Sequence, residues 1–268
     1  MNTKDSQGHL SVNNLHDIVV KKIKNNPKRE IFYIEVEGKK VWVKRARKTG
    51  SNLLHKIAYM ITKNPIVIPV DNKSPQEALR FESTKLKRLH ELSIPVPKVI
   101  TTNNEYFMLE DRGATVYHRI KKNLEDDPEQ ILEKIIIELS NLHNINEFHG
   151  GSQIKNFTYT DEQIYFIDFE ESFSKDIDIE ELQFRDLFLF LFSISKLNIE
   201  VNYENLIRKY IDLTKKKDVI EKFHTLSSKV NFLMKLVENK TIWNLIDSDT
   251  KSVYRLLTRL RNIPSKVE

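Results

Sequence analysis

The chain of 268 residues contains no cysteine. Disulfides, thiolate metal sites and cysteine nucleophiles are therefore excluded, and a reducing compartment suits the composition. Glycine is scarce, at 6 residues, which favours a helix-rich fold over one made of many tight turns. Long apolar runs are also missing. The best candidate, Leu53 to Val70, is interrupted by His55, Lys56, Lys63, Asn64, Pro65 and Pro69, so no bilayer-spanning helix is expected. The opening MNTKDSQGHLS is polar and lacks the apolar core of a secretory signal. A cytoplasmic location is the expectation.

What is present is charge, unevenly placed. Residues 1–100 carry 20 Lys and Arg against 9 Asp and Glu, while residues 101–200 carry 9 against 21. Two solvated faces of opposite sign would account for this. So would a basic first half that meets an anionic partner such as phospholipid, lipopolysaccharide or nucleic acid. In the phospholipid case the protein would sit peripherally on the inner membrane face. No aromatic-rich RNA-binding motif accompanies the basic residues, so nucleic acid is not the expected partner.

The hydrophobic pattern changes period along the chain. In IFYIEVEGKKVWVK, from Ile31 to Lys44, alternation about Gly38 predicts a β-hairpin. Leu53, Leu54, Ile57, Ala58 and Ile61 predict an amphipathic helix over Asn52–Ile61, which either packs into a core or lies on a membrane surface. The apolar run IVIPV follows. Ser74, Pro75 and Glu77 have the spacing of a capped helix start, and the helix they begin runs to about Leu92, where IPVP stops it. Short strands are expected at Pro97–Thr101 and Glu105–Leu109. Past Gly113 the pattern turns helical, with helices over Pro128–Leu142 and Glu180–Leu197 and three more within Tyr203–Arg261. A strand pair over Phe157–Phe169, turning at Asp161-Glu162, interrupts them. Strands dominate the first half and helices the second, which predicts an α+β protein with a β-rich N-terminal lobe and a larger helical C-terminal lobe. The expected division is a flexible terminus at 1–12, an N-terminal lobe at 13–110 and a C-terminal lobe at 111–268.

The segment FHGGSQIKNFTYTDEQIYFIDFEES, from Phe148 to Ser172, draws the eye for its chemistry. Folding the strand pair back on itself brings Asn156 near Asp168. An amide oxygen and a carboxylate are hard ligands that suit Mg²⁺ together with phosphate oxygens and water. Asp168 follows Tyr165-Phe166-Ile167, an apolar setting in which a carboxylate needs a partner.

The spacing of His149, Asn156 and Asp168 resembles the catalytic-loop and metal-binding segment of protein kinases. It looks closest to the small atypical kinases: the bacterial Kdo and lipopolysaccharide-core sugar kinases and the RIO-type kinases. VWVK, ending at Lys44, resembles the strand whose lysine grips the α- and β-phosphates. FESTKLKRLHELSIPVPKV resembles the helix whose glutamate, here Glu82, pairs with that lysine. FMLEDRG resembles the hinge, where backbone groups of Glu110 and Arg112 would bond adenine. FRDLFLF resembles the helix whose aspartate, Asp186, braces the catalytic loop, and His149 takes a structural place. The resemblance implies a bilobal protein-kinase-like fold with ATP and Mg²⁺ as cofactors. Lys44, Glu82, Glu110 and Arg112 would bind nucleotide, and Asn156 and Asp168 the metal.

Three departures accompany the likeness. Gly151 stands where the family has the aspartate that orients the acceptor hydroxyl. No glycine-rich loop precedes the hairpin; Lys21, Lys22, Lys24, Lys28 and Arg29 are there instead. Glu170 replaces the glycine of the metal-binding motif. Glu170, or its neighbour Glu171, is the expected stand-in as a base or second metal ligand, and Lys44, Asp168 and Glu170 are the expected catalytic set. The implied function is phosphoryl transfer from ATP to a hydroxyl on a lipopolysaccharide-core sugar, another glycolipid or a protein. The alternative is a pseudokinase, a nucleotide-binding module acting through a partner.

Overall fold

The computed structural model describes residues 12–48, 68–71, 73–124, 127–197, 199–237 and 248–264. The expected loose terminus, apart from Val12, and the expected helix over Asn52–Ile61 lie outside the described residues. Of the run IVIPV, residues 68–70 are described and have no regular structure. The described residues fall into two compact units. One comprises 12–48 with 73–112, the other 68–71 with the described part of 113–264.

The first unit has a four-stranded antiparallel sheet in the order β1-β2-β4-β3. The hairpin of β1 (Ile31–Val36) and β2 (Lys39–Arg45) turns where Glu37 and Gly38 both take positive φ, as a tight two-residue connection requires. β3 (Val99–Thr102) and β4 (Tyr106–Glu110) complete the sheet. An unexpected helix, α1 (Val12–Asn25), precedes the hairpin. Its Val19 is fully buried in a cluster with Phe32, Ile34, Val41, Val43, Tyr106 and Met108, and Leu15 and Ile23 pack at its margin. Leu15, Ile18, Val19 and Ile23 fall at helical spacing, a periodic signal masked in the sequence by the run of basic residues from Lys21 to Arg29. Lys22 donates to the Tyr33 carbonyl at 2.7 Å and Arg29 to the Ile31 carbonyl at 3.2 Å. Those two cations therefore brace the hairpin.

Helix α2 (Pro75–Glu91) begins as its sequence suggests. Ser74 accepts from the Glu77 amide, the Glu77 carboxylate accepts from the Ser74 amide, and Pro75 opens the first turn. The Ser74 contacts hold the Glu77 carboxyl below the ordinary carboxylate value. Ala78, Leu79, Glu82, Leu86 and Leu89 lie buried along one face.

The second unit is mostly helical. Its described helices are α3 (Val116–Lys121), α4 (Pro128–Asn144), α5 (Ile179–Ser195), α6 (Tyr203–Thr214), α7 (Val219–Val237) and α8 (Ser248–Arg261). Between α4 and α5 comes a hairpin of β5 (Phe157–Thr160) and β6 (Gln163–Phe166). It turns at Asp161 and Glu162, both of positive φ. Helix α5 buries residues around most of its circumference, from Leu182 to Ile194, as a central helix does. Phe157, Phe166, Phe169, Phe188 and Phe190 are fully buried, each side chain contributing about 1.5–3 kcal/mol of burial.

Candidate functional site

In the first unit, the pleat of β2 buries Lys44 opposite Phe107 of β4. The helical repeat of α2 turns Glu82 to the buried face. Lys44 Nζ lies 2.8 Å from both Glu82 oxygens, with only 10% and 4% of the two side chains exposed. Such a pair adds little net stability, because desolvating two ions offsets their attraction. What it does supply is a fixed ammonium. At the end of β4, Glu110 Oε1 accepts from the Lys98 amide at 2.6 Å and from Arg112 at 2.7 Å. The Glu110 amide is engaged with the Lys98 carbonyl, so an adenine contact from Glu110 would come from its own carbonyl.

In the second unit, the loop from His149 to Asn156 is tied down by Asp186 of α5. Asp186 Oδ2 accepts from the His149 amide at 2.6 Å and Oδ1 from the Gly150 amide at 2.9 Å. The Asp186 carbonyl accepts from Ser152 Oγ at 2.5 Å. Burial opposes its charge, yet hydrogen bonds from His143 and from the His149 amide hold the Asp186 carboxyl below the ordinary carboxylate value. Behind it, the His143 ring nitrogens lie 3.5 Å from Asp186 Oδ2 and 2.7 Å from the Tyr210 hydroxyl. Burial lowers the pKa of His143 and raises that of Tyr210. The consistent assignment is a neutral imidazole, with Tyr210 donating to Nδ1 and Nε2–H facing Asp186.

His149 accepts from the Gly151 amide at Nδ1, 3.1 Å away, and donates from Nε2 to the Ile167 carbonyl at 2.9 Å. Its ring sits against Phe157, Phe166 and Phe169. Both nitrogens are committed, so His149 is structural, as the resemblance implies. The β5–β6 register pairs Phe157 with Phe166, and the Ile167 amide donates to the Asn156 carbonyl at 2.9 Å. Asn156 therefore sits across from Ile167, one residue from Asp168. Asn156 Nδ2 donates to the Gly151 carbonyl at 2.7 Å, which turns Oδ1 the other way. Asp168 takes a left-handed backbone, φ 71, a conformation aspartate tolerates better than most residues. A carboxylate oxygen of Asp168 lies within 4.8 Å of one of Glu170.

Arg185, beside Asp186, is a residue that sequence reasoning passed over. It donates from Nη1 to the Gly150 carbonyl, and its Nη2 lies 3.1 Å from Glu171 Oε2. Burial raises the Glu171 carboxyl above the ordinary carboxylate value, with Arg185 acting against the rise. The sequence signal was an arginine next to an aspartate inside the apolar run FRDLFLF, where two ions are tolerated only with partners. The sequence-designated residues thus form two groups. Lys44, Glu82, Glu110 and Arg112 belong to the first unit, and Asn156, Asp168 and Glu170 to the second.

The profile of the RIO domain matches residues 34–189, more than half of the chain, and takes in both groups. The chain belongs to the RIO domain family. RIO domains form an atypical branch of the protein-kinase-like superfamily, a class of ATP-dependent phosphotransferases. Among curated relatives, this RIO domain is 28% identical over 168 residues to an uncharacterized protein of Haemophilus influenzae, covering 62% of the chain and 63% of that protein. It is 29% identical over 178 residues to the EKC/KEOPS complex subunit BUD32 of Enterocytozoon bieneusi, covering 58% of the chain and 86% of that subunit. The chain thus spans less than two thirds of the length of the Haemophilus relative. Among solved structures, an ADP-bound aminoglycoside phosphotransferase is similar at 8% identity and a TM-score of 0.33, over 93% of this chain and 97% of that one.

The donor set of the RIO domain suits a hard cation. Asn156 Oδ1 and the Asp168 carboxylate are oxygen ligands, and the bond from Asn156 Nδ2 to Gly151 fixes which atom of the amide is offered. No described helix is long and apolar enough to cross a membrane.

Proposed function

We propose that this RIO domain transfers the γ-phosphoryl group of ATP to a hydroxyl. The observation that carries the reading is the buried ion pair of Lys44 and Glu82. Structural economy alone does not favour two desolvated ions, whereas an ammonium held in one rotamer suits the α- and β-phosphates. Backbone groups of Glu110 and Arg112 would meet adenine. Asn156 and Asp168 would hold Mg²⁺, which when bound offsets charge on the phosphate oxygens. Glu170 adds a second carboxylate beside Asp168 at the reacting end. The acceptor is a hydroxyl of a lipopolysaccharide-core sugar, another glycolipid or a protein, and the basic first hundred residues favour one at an anionic membrane surface.

The test is thermal unfolding with and without Mg·ATP, alongside release of label from γ-labelled ATP. At a hundredfold excess over Kd the nucleotide should stabilise the fold by about 2.7 kcal/mol. Asp168→Asn should abolish label release. A protein whose unfolding ignores Mg·ATP would end the proposal. Screening extracted envelope glycolipids, sugars and proteins as acceptors then identifies the substrate. Gly151 favours a second reading, a pseudokinase that binds nucleotide without transferring phosphate. A nucleotide-dependent shift with no turnover on any acceptor fraction would select it.

A further inference from the structure

Two adjacent glycines in the His149–Asn156 loop differ in what they could carry. Gly150 has φ +98, and a Cβ there would stand 3.0 Å from the Glu171 Cβ and 3.4 Å from the Glu171 carbonyl. Positive φ and this crowding both strain a side chain there, so glycine suits a loop that the segment after β6 lies against. Gly151 is different. Its backbone is outside the left-handed region, and a Cβ there would meet Glu171 Oε1 at 3.5 Å and Asn156 Nδ2 at 3.6 Å, ordinary contact distances. Residue 151 could therefore bear a side chain, and the group already at that point is the Glu171 carboxylate.

That carboxylate is held in place. Arg185 Nη2 lies 3.1 Å from Oε2, while Arg185 Nη1 bonds the Gly150 carbonyl, so one guanidinium clamps both the loop and Glu171. Among the described residues Arg185 is the ion-pair partner of Glu171, which leaves Oε1 on the Gly151 side. Some 30% of the Glu171 side chain remains exposed.

We infer that Glu171 supplies, from the segment after β6, the hydroxyl-orienting carboxylate that position 151 lacks. The inference rests on the phosphotransferase reading above and deepens it. The acceptor hydroxyl donates to Glu171 Oε1, which aims its oxygen at the γ-phosphorus. As the new O–P bond forms, the bond from that phosphorus to the β,γ-bridging oxygen breaks and its electron pair leaves with ADP. The hydroxyl proton passes along the hydrogen bond to Glu171 and on to water. Glu170 keeps its place beside Asp168; Glu171 faces the acceptor.

The experiment compares wild type, Glu171→Gln and the double variant Gly151→Asp/Glu171→Gln. Each is measured for Mg·ATP binding by thermal shift and for label release from γ-labelled ATP, with water or the chain itself as acceptor. Glutamine keeps the size of Glu171 and an acceptor for Arg185. Glu171→Gln should lower kcat by about 10²-fold with nucleotide binding unchanged. Asp at position 151 should then recover at least about tenfold, since its Cβ would stand 3.5 Å from where Glu171 Oε1 lies. A Glu171→Gln protein with the wild-type rate overturns the inference. So does a loss accompanied by weaker nucleotide binding and not relieved by Gly151→Asp, which would make Glu171 only a brace of the loop. Wild type that binds Mg·ATP without turnover on water, on itself or on any acceptor fraction also overturns it and selects the pseudokinase. Wild type that binds no nucleotide sinks the phosphotransferase reading itself.

Discussion

Glu82→Ala takes away a carboxylate 2.8 Å from the Lys44 ammonium, in a setting where a tenth of the lysine side chain is exposed. Glu82→Ala should therefore cost about 3–5 kcal/mol in urea unfolding. Replacing both partners, as Lys44→Met/Glu82→Leu, should recover most of that stability and still lose the Mg·ATP-dependent shift. This outcome separates a functional pair from a structural one. His143 offers a second test. Burial depresses its folded pKa below the ordinary 6.5, so the unfolded chain binds the proton more readily. Stability should be full above about pH 6.5 and fall as pH drops from there towards the lowered folded value. Protonation of Asp186, whose folded pKa is also lowered, adds a further loss at lower pH. His143→Gln should flatten the first part of the decline in melting temperature against pH; an unchanged slope would contradict the neutral assignment. Neither His143 nor Tyr210 was legible in the sequence, because their partners lie 43 and 67 residues from His143 and carry no local pattern. Lys44 and Glu82 were legible only through the resemblance of VWVK and FESTKLKRLHELSIPVPKV to a kinase strand and helix, because alternation alone sets Lys44 with Trp42 on the face opposite Val41 and Val43. Glu171 fell between, since its position depends on the positive φ of Gly150 and on the Arg185 clamp, neither of which spacing shows.

Among the elements, α2 joins local chemistry most directly to the site. Its first turn is fixed by the reciprocal Ser74 and Glu77 bonds, and two turns later it presents Glu82. Ser74→Ala should cost about 1 kcal/mol, read as a lower melting temperature, and weaken the nucleotide-dependent shift if fraying reaches Glu82. The β1–β2 and β5–β6 hairpins were readable from alternation and turn residues, and α2 from its cap. Helix α1 was not, although Leu15, Ile18, Val19 and Ile23 carry helical spacing, because the lysines that follow dominate the segment. Yet its Val19 is fully buried against β1, β2 and β4. Val19→Asp should destabilise the first unit by several kcal/mol, the cost of burying an unpaired charge; unfolding followed at Trp42, on β2, would report it.

Across the whole chain, the excess of cations in residues 1–100 predicts sedimentation with vesicles of anionic phospholipid that weakens as salt rises. Binding that is absent, or indifferent to salt, would remove the membrane-surface acceptor from consideration. The family boundary at residues 34–189 leaves α1 on one side and α6 to α8 on the other, so the profile covers both groups of site residues but not the elements that pack around them. The order of the sheet has a consequence for synthesis on the ribosome. β2 lies between β1, its neighbour in sequence, and β4, which is made some sixty residues later. A nascent chain that has emerged only as far as the first hairpin holds Val41 and Val43 ready for a partner strand not yet translated. Until Tyr106–Glu110 clears the exit tunnel, that open strand is a surface for chaperones, or for pairing with another copy.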